Sequence, residues 1–187
     1  MISIIDYGCG NLHSLEYAIK AIGLESKVTR DRSEILSSSG AILPGVGAFG
    51  AAMDNIKSLN LDKTICDFER SGKKLMGVCL GMHLLATCSN EFGKHEGLGV
   101  FSGEVVKLKK NTLSKIPNVG WCQTELKDYQ NEKKPPKFFF YYTHSFEFIP
   151  PDFQYVYAFA LHGNRKIVAA LRKKNVLATQ FHPEKSG

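Results

Sequence analysis

The chain has 187 residues, of which 43% are hydrophobic and 22% are charged, and 24 Lys and Arg stand against 18 Asp and Glu. A chain of this size corresponds to about one domain and can bury a core without disulfides or metal. The composition excludes collagen-like and disordered classes. The small positive charge lies in short lysine runs without base-stacking aromatic motifs, so we expect neither nucleic acid nor membrane as a partner.

The chain also lacks the sequence features of an exported or membrane-inserted protein. No apolar run approaches 18 residues, and the first apolar segment, residues 2–5, is too short for a signal peptide. The five cysteines are an odd number and show no Cys-x-x-Cys spacing, so we expect reduced thiols. These observations predict a cytoplasmic protein.

The first half of the chain alternates short apolar strands with helical stretches. Strands are predicted at residues 2–5, 27–29, 41–43 and 74–78, and helices at about residues 12–22, near 33, 49–59, 61–71 and 80–88. This alternation predicts a mainly parallel sheet with helices on both faces. Ligand and catalytic groups in such sheets collect at the carboxyl ends of strands, so the loops after Ile5, Leu43 and Val78 are the first places to search.

The second half changes to strand signals, predicted at residues 103–108, 121–126, 138–142, 146–149, 155–161, 167–171 and 176–181. Short polar turns such as residues 161–165 favour antiparallel pairing in a smaller sheet attached to the first. Residues 129–136 combine paired prolines with clustered charge and predict an exposed loop. The expected fold class is therefore α/β, with residues 1–187 forming a single domain.

The strongest chemical signal is Cys79, which follows an apolar strand and precedes a helical stretch in a Gly-x-Cys-x-Gly pattern. This is the cysteine form of a nucleophile elbow, in which Gly77 and Gly81 allow a very tight turn that exposes the reactive side chain. A helix start favours the thiolate, and the Leu80 amide is free to donate to an oxyanion. The alternative is an inert buried cysteine.

A thiolate nucleophile needs a base, and that base needs an orienting partner. His182 and Glu184 meet both needs, because alternate residues of an extended segment point to the same side and Pro183 keeps the segment extended. His182 would transfer the proton, and Glu184 would fix its tautomer and stabilise the imidazolium. Taken alone, the motif is equally typical of a surface turn.

The glycine-rich residues 43–50 offer a second oxyanion donor, the Val46 or Gly47 amide, although the segment also suits a plain turn before a helix. Two phosphate-binding motifs fail. His13 occupies the third glycine position of a dinucleotide fingerprint, and Asp67 and Lys74 disrupt a phosphate loop around Gly72. Asn11 is then expected only to cap a helix.

The remaining polar candidates are weaker. His83 lies one helical turn past Cys79 and is expected to face the same pocket, and residues 142–145 end an apolar strand that could present backbone groups to a substrate. We expect His13 and His95 at the surface, His162 in a hairpin turn, and packing roles for Cys9, Cys66, Cys88 and Cys122. No clustered ligands predict a metal or cofactor.

Four segments, residues 6–11, 44–50, 77–82 and 181–187, together resemble the class I glutamine amidotransferases in matching order along the whole chain. More narrowly, they resemble the glutaminase subunits of imidazole glycerol phosphate synthases. The resemblance implies hydrolysis of L-glutamine through a thioester on Cys79, with His182 and Glu184 completing a triad. It places the oxyanion hole at the amides of Val46 and Leu80, and glutamine among Gly45, Gly47, His83, His144 and Ser145.

Two features depart from the family pattern. The family usually has glutamine at the position of His83, and its chain usually continues into a final helix beyond the position of Gly187. The first departure bears on how glutamine is held. The second departure implies either that the chain is trimmed or that the surface against which the final helix would pack is uncovered.

The resemblance also implies a partner, because ammonia is useful only when it reaches an acceptor enzyme. A chain of 187 residues filled by this fold has no room for a TIM-barrel synthase of ~250 residues, so we expect a heterodimer with a separate barrel cyclase of histidine biosynthesis. Three alternatives stay open. They are a paralogous subunit that supplies ammonia for amidation of a surface-polysaccharide sugar, a stand-alone cysteine hydrolase of γ-glutamyl or peptide substrates, and a non-catalytic binding module.

Overall fold

A computed structural model describes residues 1–110, 112–129 and 131–186. The strands in this part of the chain are β1 (Ile2–Ile5), β2 (Ser26–Thr29), β3 (Gly40–Leu43), β4 (Lys74–Val78), β5 (Ala86–Ser89), β6 (His95–Glu96), β7 (Phe101–Lys107), β8 (Asn118–Leu126), β9 (Phe138–His144), β10 (Phe146–Ile149), β11 (Val156–His162), β12 (Arg165–Lys173) and β13 (Val176–Thr179). The helices are α1 (Leu12–Ala21), α2 (Arg32–Ser37), α3 (Phe49–Ser58), α4 (Leu61–Arg70) and α5 (Leu80–Leu84).

A large sheet carries nine of these strands in the order β2-β1-β3-β4-β13-β12-β11-β8-β9. The strands from β2 to β13 are parallel to one another, and those from β13 to β9 are antiparallel neighbours. A second sheet has the order β10-β7-β5-β6. The predicted α/β class, with a large central sheet and a smaller second one, is confirmed.

The distribution of strands between the sheets differs from the sequence expectation. Most C-terminal strands extend the large sheet, because β13 pairs in parallel with β4 along one edge and antiparallel with β12 along the other. The smaller sheet contains only β7 and β10 of the predicted C-terminal strands, and it is mixed, since β5 runs parallel to β7. Hairpin signals predicted the antiparallel neighbours correctly but could not specify the sheet that each pair joins.

The predicted helix at 80–88 is wrong in its second half. Helix α5 ends at Leu84, and residues 86–89 form strand β5. The run from Leu80 to Ala86 is mostly apolar, and no proline or turn-forming cluster follows Leu84 to mark the end of the helix. Backbone pairing of β5 with β7 and β6 supplies the hydrogen bonds that favour the strand here.

Side chains on the two faces of the parallel strands pack against different layers, as alternation along a strand requires. Ile4 packs with Leu15 and Ile19 of α1 on one face. Ile5, on the opposite face, belongs to the larger core that includes residues of α2 to α5 and of the smaller sheet. Among the described residues, no helix is long and apolar enough to cross a membrane. The predicted cytoplasmic location stays a prediction.

Two sequence expectations involve residues outside the described part of the chain. The predicted loop at 129–136 contains Gln130, and the segment that ends the chain contains Gly187. Residues 127–129 form a short 3-10 turn, and residues 131–136 contain neither helix nor strand, in agreement with the expected loop.

Candidate active site

The pairing of β4 with β13 brings together two segments that are distant in sequence. Val78 and Thr179 are partners in the parallel register, and the Cys79 amide donates to the Thr179 carbonyl at 2.7 Å. Both strands end at the same edge of the sheet, so Cys79 and the segment containing His182 leave the sheet side by side. Their adjacency therefore depends on one strand pair in the middle of the sheet.

Cys79 lies in the sharp turn that the glycine pattern predicts. Its backbone has φ 53° and ψ −107°, a conformation that costs a non-glycine residue about 1–3 kcal/mol. A Cβ atom on Gly81 would lie 1.9 Å from the Leu43 carbonyl oxygen, and one on Gly77 would lie 2.9 Å from the Gly81 carbonyl oxygen. Both glycines are thus required by close backbone contacts around the cysteine.

His182 and Glu184 form a hydrogen-bonded pair beside this turn. The Nδ1 atom of His182 lies 2.8 Å from Oε1 of Glu184, and both side chains are almost fully buried. An Nδ1–H donated to the carboxylate leaves Nε2 as the ring atom that can exchange a proton. That Nε2 atom is buried and has no hydrogen-bond partner among the described residues.

The charged neighbours of His182 favour its protonated form. Burial by itself lowers the pKa of His182, but Cys79 and Glu184 outweigh burial and raise the pKa to about 9. The imidazolium form is therefore favoured at neutral pH, next to a cysteine whose Sγ lies 3.9 Å from the Thr143 carbonyl oxygen.

A cavity of about 490 Å³ opens above Cys79. It is lined by residues from six parts of the chain: the loop after β3, the elbow with α5, the segment after β5, the last residue of β7, the residue before β8, and the end of β9 with the residues that follow. Most of the predicted binding residues are among the lining residues, namely Val46, Gly47, Leu80, His83, His144 and Ser145. His182 and Glu184 are not among them, so the candidate base approaches Cys79 from behind the cavity.

The three predicted oxyanion donors line the same cavity. The N–H groups of Val46, Gly47 and Leu80 donate no hydrogen bond to another described residue. Gly47 has φ 111°, a conformation that a glycine adopts without strain. These free amides beside Cys79 can stabilise an oxyanion that forms on a carbonyl attacked by the sulfur.

Gly45 is not among the residues that line the cavity, and its place around bound glutamine stays a prediction. A Cβ at this position would lie 2.6 Å from the Leu80 Cβ and 2.8 Å from the Tyr7 hydroxyl. The Tyr7 hydroxyl in turn donates to the Pro44 carbonyl at 2.8 Å. Gly45 therefore permits close packing of the loop after β3 against the elbow.

His144 is held in one tautomer at the cavity wall. Its Nδ1–H donates to the Phe146 carbonyl at 2.7 Å, so its Nε2 accepts from the side-chain amide of Asn118 at 2.9 Å. Burial lowers the pKa of His144 to about 3, which keeps the ring neutral. A neutral, doubly hydrogen-bonded ring gives this wall a fixed shape.

Sequence reasoning missed several residues of the site. Glu91 lines the cavity, is buried, and accepts from the Phe49 amide at the start of α3. Phe92 stands beside it, 88% exposed. Gln180, two residues before His182, directs its amide nitrogen at Cys79 Sγ over 3.8 Å. Glu91 lies in a segment without a recognised motif, and Gln180 directly precedes the segment of His182 without being part of the pattern that identified it.

The weaker candidates lie elsewhere. His13 is fully exposed, as predicted, whereas His95 is partly buried against the ring of Phe49. His162 ends β11 as a buried residue and does not lie in the turn itself, which consists of residues 163–164. Asn11 is at the N-cap of α1 but makes no capping hydrogen bond through its side chain. Packing roles for Cys9, Cys66, Cys88 and Cys122 fit their partial burial.

Comparisons of sequence agree with this geometry. The family described as "Glutamine amidotransferase class-I" matches residues 3–187. A protein of Rhodopirellula baltica named "Imidazole glycerol phosphate synthase subunit HisH" is 42% identical over all of this chain and 91% of its own length. A protein of Bacillus cereus with the same name is 44% identical over all of this chain and 88% of its own length.

Solved structures share the fold at lower identity. One described as "Crystal structure of glutamine amidotransferase" has a TM-score of 0.76 and 20% identity, covering 98% of this chain and 90% of its own. One described as "Structure of PurLQS from Thermotoga maritima" has a TM-score of 0.72 and 18% identity, covering 98% and 87%. At these identities the likeness supports the architecture alone.

Proposed function

The chain belongs to the class I glutamine amidotransferase family, and from that premise we propose that it is the glutaminase subunit of an imidazole glycerol phosphate synthase. It would hydrolyse L-glutamine to glutamate and ammonia and pass the ammonia to a separate cyclase subunit of histidine biosynthesis. The observation that carries the proposal is the strained Cys79 at the floor of the cavity, with the His182–Glu184 pair behind it.

In the proposed reaction the Cys79 thiolate attacks the carboxamide carbon of glutamine and forms a C–S bond. The oxygen becomes an oxyanion that the free amides of Val46 and Leu80 stabilise, each such donor contributing about 10²- to 10³-fold in rate. His182 gives its proton to the leaving nitrogen, the C–N bond breaks, and ammonia departs from the thioester.

The second half of the proposed reaction uses the same groups in the opposite sense. His182, now neutral, takes a proton from water as the water oxygen attacks the thioester carbon. The C–S bond breaks, glutamate leaves, and the thiolate and imidazolium are restored. Glu184 holds Nδ1 of His182 throughout, so that Nε2 remains the atom that exchanges protons.

The proposed partner has a suitable docking surface next to the cavity. Val119 and Trp121 of β8 pair with Thr143 and Tyr141 of β9, so their side chains share one face. Val119, Trp121 and Phe139 are at least half exposed on it. We define this as the β8–β9 face. The β8–β9 face reaches the cavity at Thr143, which is one of the residues that line the cavity.

This continuity supports the β8–β9 face as the docking site of the ammonia acceptor, because an acceptor seated there would stand beside the place where ammonia forms. The relatives from Rhodopirellula baltica and Bacillus cereus are themselves named as subunits. Trp121→Glu is expected to weaken binding to a histidine-pathway cyclase at least tenfold, because an aromatic side chain that the partner would cover is replaced by an unpaired charge.

The activity test measures glutamate release with and without that cyclase and its ribonucleotide substrate. Cys79→Ala should abolish turnover. Cys66→Ala, the same change at a partly buried cysteine that does not line the cavity, should retain it. Turnover by Cys79→Ala would exclude the proposed nucleophile. Turnover that stays at background for the unmodified protein in the complete mixture would exclude the proposed pathway.

A further inference from the structure

A buried chain of two polar side chains, His83 and Gln180, reaches Cys79. His83, one turn further along α5, has its Nε2 atom 2.6 Å from Oε1 of Gln180. The amide nitrogen of Gln180 then lies 3.8 Å from Cys79 Sγ, within hydrogen-bond reach of sulfur. Gln180 is fully buried and His83 is 4% exposed, so bulk water does not replace either contact.

The tautomer of the neutral His83 ring sets the direction of this chain. Burial lowers the pKa of His83 to about 4, although the hydrogen bond to Gln180 acts in the opposite sense. The neutral ring has one proton, and a carbonyl oxygen can only accept, so that proton is on Nε2. The amide of Gln180 is thereby held with its NH₂ group towards the sulfur.

This direction suits the ionised form of the cysteine. A thiolate accepts hydrogen bonds and donates none, so an NH₂ group facing it is favourable, whereas a carbonyl oxygen in the same place would repel it. The neutral side chain of Gln180 also adds no charge to the site. The other titratable groups around Cys79 are His182 after β13, His144 on β9 and Tyr7 after β1. Cys79 raises the pKa of His182, whereas His144 and Tyr7 donate to the carbonyls of Phe146 and Pro44.

We propose that Gln180 stabilises the Cys79 thiolate through its amide NH₂ group and that His83 is the positioning residue that holds the amide in that orientation. The inference rests on the proposed role of Cys79 as the nucleophile. In this proposal His83 acts on the Cys79 sulfur through Gln180, which lies 97 positions further along the sequence.

Alkylation of Cys79 by iodoacetamide across a pH series tests this inference, because iodoacetamide reacts with the thiolate. The full chain is used, and mass spectrometry quantifies the peptide that contains Cys79. The peptide with Cys66 serves as an internal reference in every sample. Three variants are compared with the unmodified chain: Gln180→Met, His83→Met and His83→Gln.

Gln180→Met removes the donor while keeping the side-chain volume, so the midpoint of the Cys79 alkylation profile should move up by about one pH unit, equivalent to about 1.4 kcal/mol. His83→Met frees the amide to reorient and should raise the midpoint by about half as much. His83→Gln retains an N–H donor near the position of Nε2 and should leave the midpoint within about 0.2 units. The Cys66 profile should not move in any variant.

Superimposable Cys79 profiles for His83→Met and the unmodified chain would overturn the inference, even if the variant had lost thermal stability, since a packing role alone changes stability only. An equal shift for His83→Gln and His83→Met would also overturn it. If circular dichroism shows that Gln180→Met does not fold, the two His83 variants decide. The alkylation assay contains no glutamine, so absence of glutaminase turnover would count against the proposed function and leave this result intact.

Discussion

The buried neutral His83 makes a quantitative prediction about stability in acid. The folded protein holds the pKa of His83 at about 4, whereas in the unfolded chain the ring titrates near 6.5. Between these pH values the unfolded state binds a proton that the folded state does not. The contribution of His83 to stability is therefore fully present above about pH 6.5 and is lost as the pH falls towards 4.

The size of this effect follows from the two pKa values. At about pH 5, roughly 1.5 pH units below its pKa in the unfolded chain, the His83 ring is protonated in the unfolded state and still neutral in the folded state. This difference lowers the free energy of unfolding by about 2 kcal/mol. His144, whose pKa burial lowers to about 3, adds a loss of similar size by the same reasoning. Together these histidines remove a large part of a typical domain stability of about 5–15 kcal/mol.

His83→Gln isolates one of these contributions, because glutamine retains the donor to Gln180 but does not titrate. Denaturant unfolding of both proteins at about pH 7.5 and about pH 5 gives the free energies, with circular dichroism and the fluorescence of Trp121, the one tryptophan of the chain, as probes. The unmodified protein should lose about 2 kcal/mol more than His83→Gln over this interval. Equal losses would show that His83 is not a neutral buried group and would refute the reasoning.

Four further substitutions test other parts of the structure. Gly81→Ala places a Cβ 1.9 Å from the Leu43 carbonyl oxygen and should cost at least about 3 kcal/mol, seen as a fall of about 10 °C in Tm. His182→Ala should lower kcat by about 10²- to 10⁴-fold and Glu184→Gln by clearly less, because the carboxylate acts through the ring; equal losses would contradict these roles. Glu91→Leu removes the acceptor for the first amide of α3 and should cost about 1–2 kcal/mol in denaturant unfolding.

The parallel half of the fold could be predicted because its signals are local. Each short apolar strand is followed by a helical stretch, and β4 was expected at the residues where it is found. The elbow at Cys79 follows from the two glycines and the apolar strand before them. Such features need no knowledge of distant partners, so a single sequence is sufficient to indicate them.

The errors occur where pairing between distant segments decides the outcome. Residues 86–89 have the composition of a helix end and become β5 because β7 and β6 are available on its two sides. The C-terminal hairpins join the large sheet because β13 pairs with β4, a contact across about 100 residues. Hairpin turns specify an antiparallel neighbour, but they carry no information about the other edge of each strand.

The candidate site shows the same division. Cys79, His182 and Glu184 lie in short motifs that the sequence shows directly and that together indicate nucleophilic catalysis. Gln180 is identified as a site residue only by its contacts with His83 and Cys79, both about 100 residues away in the sequence. Glu91 is identified only by its hydrogen bond to the start of α3. A polar residue whose partner is distant in sequence gives no periodic or motif signal, so the fold must be known before its contacts can be recognised.

The two sides of the cavity also differ in how firmly the sheet holds them. Cys79 and His182 follow β4 and β13, which are interior strands of the large sheet, and the residues of β13 are mostly buried. Thr143 and His144 end β9, the strand at the sheet's edge. Interior strands open less readily than edge strands, because more of their hydrogen bonds and contacts must break. A protein bound to the β8–β9 face would therefore shift the Thr143 carbonyl near the Cys79 sulfur more readily than it would shift Cys79 or His182. We expect the relative positions of Cys79 and His182 to be preserved.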